Sequence, residues 1–220
     1  MRKIEYLVKA VIFDMDGVIT DTMPFHFRVW KQVFKEEGID VDECEIYMRE
    51  GQPGIVTVRE IFKQHKKELL EEHVRSILTK KEKMFKKIIK KRFVRGSVNF
   101  LYFLKKQGLD LALVTGTSRH EAKRILPKRL FNLFAVTVTG DEVKRGKPYP
   151  EPYLLALKKL SLKPKEAVVI ENAPFGIYAA KRARLACLAL ATSLPESYLK
   201  NADHVFPTIA VLRRKVRFLA

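Results

Sequence analysis

The chain is short of cysteine. Its 220 residues include two, Cys44 and Cys187, far apart and with no histidine or second cysteine at ligand spacing. A disulfide framework and a structural zinc site are both excluded, and an intracellular protein fits such sparse thiols best. Long apolar runs are missing too. The longest near the C-terminus, "LACLALA", falls far below the roughly 20 residues that cross a bilayer. The N-terminal "MRKIEYLVKAVIFD" has neither an extended apolar core nor a small-residue cleavage site, so it does not read as a signal peptide. A soluble, cytoplasmic protein without a membrane partner is expected. Internal repeats and low-complexity segments are absent. Acidic residues are scarce beside basic ones, 25 against 43, which leaves a net charge of +18. Half of that excess lies in residues 61–95, which hold 13 Lys/Arg and 4 Asp/Glu. Such a balance suits nucleic acid, an acidic surface or small anionic substrates.

What is present is a core. Hydrophobic residues make up 47% of the chain, enough for a packed interior. The length allows one generous domain, or a core domain with a small second one. "YLVKAVIF" reads as a buried strand that stops at Asp14. From Pro24 the spacing turns helical: Phe27, Trp30, Val33 and Phe34 share a face, and Gly38 is placed to end the helix. "REGQPG", residues 49–54, reads as a loop, followed by helical "IVTVREIFKQH". Beyond it, Leu70, Val74, Ile77, Leu78, Phe85 and Ile88 mark one face of a further helix.

After Gly96 the rhythm changes. Strands "LDLALVTG", "LFAVTVTG", "EAVVIE" and "ACLALA" alternate with helical stretches, and "HVFP" reads as a last short strand. That alternation predicts an α/β fold, a doubly wound parallel sheet. The expected organisation is an α/β core from residues 1–19 and 93–220, with a small α-helical cap, residues 20–92, inserted after the first strand. Ligands of such sheets bind at the carboxyl ends of the strands. An insert leaving the sheet there lies over the site as a lid.

The predicted strand ends carry acids, hydroxyls, glycines and a lysine. The first gives Asp14 and Asp16, the second Thr115, Gly116 and Thr117, the third Gly140, Asp141 and then Lys147, the fourth Glu171 and Asn172. Asp and Gly after a strand are ordinary turn residues, and a lone Asp-x-Asp-Gly says little. Four such features at one end of one sheet are much harder to explain as turns. Acids from two strand ends can hold a hard cation such as Mg²⁺. A hydroxyl, the backbone N–H groups after it and a lysine cradle a phosphoryl group. One carboxylate can attack phosphorus, and the other can move the proton. Gly17 permits the tight turn that aims the Asp16 carbonyl at the cation.

With these motifs in place, the chain resembles the haloacid dehalogenase superfamily, in its beta-phosphoglucomutase-like phosphatase branch with a helical cap. "FDMDGVITDT", "LALVTGTSR", "KRGKPYPEPYLLAL" and "VVIENAPFGIYAAKRA" resemble its four motifs, and "DTMPFHFRVW" resembles the start of its cap, with His26 and Trp30. The resemblance implies Asp14 as nucleophile, Asp16 as acid/base, Thr115 on phosphate, and Lys147 bracing both. It implies Mg²⁺ held by Asp14, Asp16, Glu171 and Asn172, and phosphate or substrate binding by Gly17, Gly116 and Thr117. His26 is implied in closure or substrate binding. An acid at position 16 favours phosphate monoesters over dehalogenation. Two departures stand out. The fourth motif reads Glu171-Asn172 where the branch has a second acid, which predicts metal affinity weaker by about 10-fold. Arg184 stands near where the branch has a glycine that ends the helix.

Arg49 in the "REGQPG" loop is a candidate grip for an anionic or sugar group, set against an exposed loop arginine. His120 reads as a helix residue, Trp30 as cap core, and Pro174 as a first-turn residue. The lysines of "KKEKMFKKIIKK" read as the solvated side of an amphipathic helix, or as steering for phosphorylated substrates. No nucleic-acid-binding motif accompanies them, so nucleic acid is not an expected partner. The expected protein is a monomeric, Mg²⁺-dependent phosphatase of a small phosphorylated metabolite, a sugar phosphate, acting through an aspartyl-phosphate. The alternatives are a beta-phosphoglucomutase-type mutase and a basic binding protein on an inactive scaffold.

Overall fold

The stretch expected as one strand divides in two. The structure, a computed structural model, describes residues 3–219. β1 (Ile4–Leu7) alternates half-buried and exposed side chains, and pairs in parallel with β8 (Val216–Leu219) as a two-stranded sheet. β2 (Ala10–Phe13) is buried at every position. Between them Val8 N–H donates to the Leu219 carbonyl and Lys9 N–H to the Glu166 carbonyl, both at 2.8 Å, so the chain changes partners at Lys9.

β2 lies inside a six-stranded, wholly parallel sheet. Its other strands are β3 (Asp110–Val114), β4 (Val136–Val138), β5 (Ala167–Glu171), β6 (Ala186–Leu190) and β7 (His204–Phe206). The order is β4-β3-β2-β5-β6-β7. The chain first builds outward from β2 on one side through β3 and β4, then on the other through β5. The topological switch therefore falls at β2, where such sheets bind ligands. Phe13 is level with Leu113 of β3 and Ile170 of β5. Asp14 thus emerges opposite Val114 and Glu171, and the three strand ends reach the surface together.

Side chains alternate between the two faces of the sheet. Val11, Phe13, Leu111, Leu113, Val168 and Ile170 enter one cluster, with α5 (Ser97–Lys106) and α10 (Ile209–Lys215). Ala10, Ile12, Ala112, Val114 and Val169 enter the other, with Tyr153, Ala156 and Leu157 of α8 (Glu151–Leu160) and Ile177 and Ala180 of α9 (Pro174–Arg182). The alanines on this second face let α8 and α9 approach the strands closely. Pro174 occupies the first position of α9, where its missing N–H has no partner to lose. α6 (Arg119–Ile125) and α7 (Lys128–Phe131) join β3 to β4, and the Ser118 side chain caps α6.

Four helices fill the interval between β2 and α5: α1 (Met23–Glu36), α2 (Glu43–Tyr47), α3 (Gly54–Gln64) and α4 (Glu71–Ile88). α1 packs on α2 and α4, and α3 on α4. Val29, Trp30, Val33 and Phe34 meet Val74, Ile77 and Phe85 in this interior, with Trp30 stacked on Phe34 at 5.1 Å. The two chain crossings to the core run side by side: Asp21 N–H donates to the Arg92 carbonyl, Val94 N–H to Ile19, and Ser97 Oγ also to Ile19. No helix among the described residues is long and apolar enough to cross a membrane. Four elements are additions to the sequence reading. α2 starts with a capping box between Asp42 and Glu45; α7 is a short turn of helix before β4; α10 is capped by the Thr208 hydroxyl; β8 closes the chain against β1.

Candidate active site

Lys147 is the centre of the strand ends. It is 1% exposed, and its ammonium donates to Asp14 Oδ1 at 2.5 Å and Glu171 Oε1 at 2.6 Å. The Tyr153 hydroxyl also donates to Glu171 Oε1, at 2.9 Å, and the backbone N–H groups of Asn172 and Ala173 donate to Oε2. Both oxygens of Glu171 are thereby taken from within. Burial pushes the Lys147 pKa down, but the Asp14 and Glu171 carboxylates outweigh it and hold the ammonium charged.

Asp14 keeps its second oxygen, Oδ2, buried and unpartnered. Burial drives its pKa up, the Glu171 and Asp16 carboxylates add to this, and Lys147 opposes. Asp16 is different. Burial pushes it up as well, but His26, Thr22 and Thr117 together hold its carboxyl below the usual range. Thr22 Oγ1 donates to its Oδ1, Thr117 Oγ1 donates to Oδ2 at 3.2 Å, and His26 Nε2 stands 3.6 Å from Oδ1. His26 sits on α1, stacked on Phe85 of α4 at 4.2 Å; burial and then Lys81 lower its pKa. Asp16 of the core thus meets the first helix of the insert.

Thr115 lies buried after β3, its hydroxyl accepting from Thr117 N–H at 3.1 Å. Gly116 and Thr117 follow in the same turn, and Gly116, Thr117 and Asp141 line a 390 Å³ cavity together with Asp14 and Asp16. Gly17 has φ +83°, and a Cβ there would stand 2.1 Å from Asn172 Nδ2, so only glycine fits. Asn172 Nδ2 donates to Ser193 Oγ at 3.1 Å, which leaves its Oδ1 buried without a partner. Among the described residues no three His, Cys, Asp or Glu side chains converge as a cation site. The two orphaned oxygens, Asp14 Oδ2 and Asn172 Oδ1, nevertheless suit a hard cation, and the surplus of buried carboxylate over ammonium calls for positive charge.

The insert closes the cavity. Trp30, Arg49, Glu50, Gln52 and Lys81 line its far wall. Arg49 is no loose grip: its guanidinium donates to the Glu45 carbonyl at 2.6 Å and to Gln64 Oε1 at 2.7 Å. Lys81 departs from the solvated row expected of α4, reaching over Trp30 and Phe85 at 5.4 and 4.9 Å from their ring centroids. Glu50 is the residue the sequence reading missed. It is buried, and its Oε2 has no partner. The signal available is its place in the "REGQPG" loop beside the more conspicuous Arg49. His120 is exposed on α6.

A parallel sheet with its switch at an acidic strand end, a buried lysine between two acids and a helical lid define a phosphoryl-transfer hydrolase. The chain belongs to the haloacid dehalogenase-like hydrolases, whose family description matches residues 8–184. It is 37% identical to the phosphorylated carbohydrates phosphatase of Thermotoga maritima over 183 residues, 80% of this chain and 82% of that one. It is 28% identical to the beta-phosphoglucomutase of Bacillus subtilis, over 86% and 85% of the two chains. A Bacteroides vulgatus structure, solved as a beta-phosphoglucomutase candidate, superposes with a TM-score of 0.81 at 35% identity, covering 93% of this chain and 85% of that one. The enzyme is a phosphoric monoester hydrolase of this family's beta-phosphoglucomutase-like group.

Proposed function

We propose a Mg²⁺-dependent phosphatase of a small phosphorylated carbohydrate. The observation that carries the reading is the pair of acids on one turn, held in opposite ways: Asp14 against Lys147, Asp16 against hydroxyls and His26. The Asp14 carboxylate forms a bond to phosphorus as the ester P–O bond breaks. Asp16, whose pKa the negative charge of the bound phosphate raises, carries a proton at this stage and gives it to the departing alkoxide. Asp16 then takes a proton from water, whose oxygen attacks phosphorus, releases phosphate and restores Asp14. Thr115, the N–H groups after it and Lys147 face the negative charge on the phosphoryl oxygens, where most catalysis of phosphoryl transfer lies. When bound, Mg²⁺ supplies further positive charge there; Asp14, the Asn172 amide oxygen and the Asp16 main-chain carbonyl are its proposed ligands. Glu171 enters through Lys147, which it holds in place. The carbohydrate preference is supported by the relatives' own activities.

The test is phosphate release over sugar phosphates, phosphoglycolate and nucleotides, with and without Mg²⁺, in the wild type and in Asp14→Asn. Release that needs Mg²⁺ and vanishes in Asp14→Asn is expected. Mutase chemistry is the second reading, favoured by the beta-phosphoglucomutase relative. It passes the phosphoryl group back to a sugar hydroxyl. Glucose 6-phosphate formed from beta-glucose 1-phosphate without free phosphate would move the assignment there.

A further inference from the structure

We infer that Glu50 is a specificity-determining residue that pairs with a hydroxyl carried by the leaving group beside its phosphate ester. The inference deepens the phosphatase reading and rests on it. Its basis is how the loop is pinned. On one side of Glu50, the Arg49 guanidinium is bound to the Glu45 carbonyl and Gln64. On the other, Gly51, with φ +74°, lies so close to the core that a Cβ there would stand 2.5 Å from Lys147 Cδ. A Cβ on Gly116 would in turn stand 2.8 Å from the Gly51 carbonyl oxygen. The backbone between these anchors delivers Glu50 into the cavity. Only 9% of the residue is exposed, and Oε2 has no protein partner. A buried carboxyl left unpaired is costly, so a ligand that completes it is favoured.

The surroundings say which ligand group that is. Asp14, Asp16 and Glu171 bring negative charge toward Glu50, while of the cations around the cavity Lys147 is held by Asp14 and Glu171, Arg49 by the Glu45 carbonyl and Gln64, and Lys81 lies over Trp30 and Phe85. A second phosphate or carboxylate on the substrate would meet this charge unfavourably. An alkyl or aryl group would leave Glu50 unpaired. A hydroxyl donates to a carboxylate and accepts from a carboxylic acid, so it pairs with Glu50 in either state. The cavity, 390 Å³, is of small-molecule size. The class selected is therefore polyol and sugar monophosphates with a hydroxyl on the carbon next to the ester carbon.

The experiment compares kcat/KM, with Mg²⁺, for glycerol 3-phosphate against propyl phosphate and for open-chain sorbitol 6-phosphate against hexyl phosphate. Wild type, Glu50→Ala and Glu50→Gln are measured side by side. The wild type is expected to prefer the hydroxylated ester of each pair by about 10-fold or more, the scale of one hydrogen bond to a charged group. Glu50→Ala moves the ratio toward unity, and Glu50→Gln, which keeps the volume and an acceptor oxygen, falls between. Equal loss on both members of each pair marks a structural role for the loop and overturns the inference. So does a wild type without preference, or one that cleaves p-nitrophenyl phosphate and no polyol ester. Should Glu50→Ala fail to fold, the Gln variant decides. No release from any ester, p-nitrophenyl phosphate included, defeats the phosphatase reading itself, whereas turnover with an unmoved ratio defeats this inference alone.

Discussion

Glu171 Oε1 accepts the Lys147 ammonium at 2.6 Å, with both side chains sealed from water. A buried charge that loses its partner is expensive. In Glu171→Gln the remaining amide oxygen still accepts from Lys147 and Tyr153 but carries no charge, and the new NH₂ faces the Asn172 and Ala173 N–H donors. The expected loss of stability is about 1–3 kcal/mol, since one strong charged hydrogen bond is weakened and one remains. Urea unfolding checks it. A variant as stable as the wild type would show that Glu171 does not brace the lysine.

Asn172→Asp places a carboxylate where a neutral amide oxygen now lies unpartnered. Ser193 Oγ, which accepts from Asn172 Nδ2, can donate to the new acid. Mg²⁺ affinity should rise about 10-fold, the usual scale of a metal-site change. The measurement is a Mg²⁺ titration by calorimetry, with phosphate release as a second readout. Equal affinities would remove Asn172 from the proposed metal set.

The sheet was legible because its signal is redundant: each apolar strand ends at a chemically distinctive residue, and helices separate the strands. The register of β2 with β3 and β5 then brings Asp14, Thr115 and Glu171 together without further information. Less was legible where the decisive fact is a partner. β1 and β8 stabilise each other across the whole chain, and neither announces this locally. Periodicity put the lysines of α4 outside, yet Lys81 lies against Trp30 and Phe85, because its long stem packs on aromatic faces. Glu50 was hidden for the same reason: its burial depends on Gly51 meeting Lys147, a contact between residues 96 positions apart in the chain.

The low pKa of Asp16 depends on insert residues as well as core ones. His26 and Thr22 both favour its ionised form. His26→Ala removes one of them, so the Asp16 pKa rises. In the proposed water-activating step Asp16 acts as a base and must be ionised. Activity is lost as pH falls through its pKa, and this acid limb should therefore move to higher pH in His26→Ala. The profile of kcat against pH reads the shift. An unmoved limb would mean that His26 does not tune Asp16. Stability carries the same sign. A carboxyl with a depressed folded pKa stabilises above its ordinary pKa of 3.8, and that contribution is lost as pH falls through the lower folded value.

Arg184 follows α9 with φ +61°, in the left-handed region, while Arg184 N–H donates to the Lys181 carbonyl. The turn closes the helix and starts β6, so the conformation is imposed by the sheet. For a residue with a Cβ it costs roughly 1–2 kcal/mol. Arg184→Gly relieves that cost but gives the unfolded chain more freedom, worth about 0.5–1 kcal/mol. The exposed Arg184 side chain makes no hydrogen bond or ion pair recorded among the described residues, so little else is lost. The net expectation is a gain of roughly 0.5–1 kcal/mol, from the difference between those two terms. It would appear in urea unfolding as a higher midpoint at unchanged slope, with phosphatase kinetics unaltered because the turn lies at the opposite end of β6 from the catalytic strand ends. A lower midpoint would show that the arginine side chain contributes packing that outweighs its backbone strain.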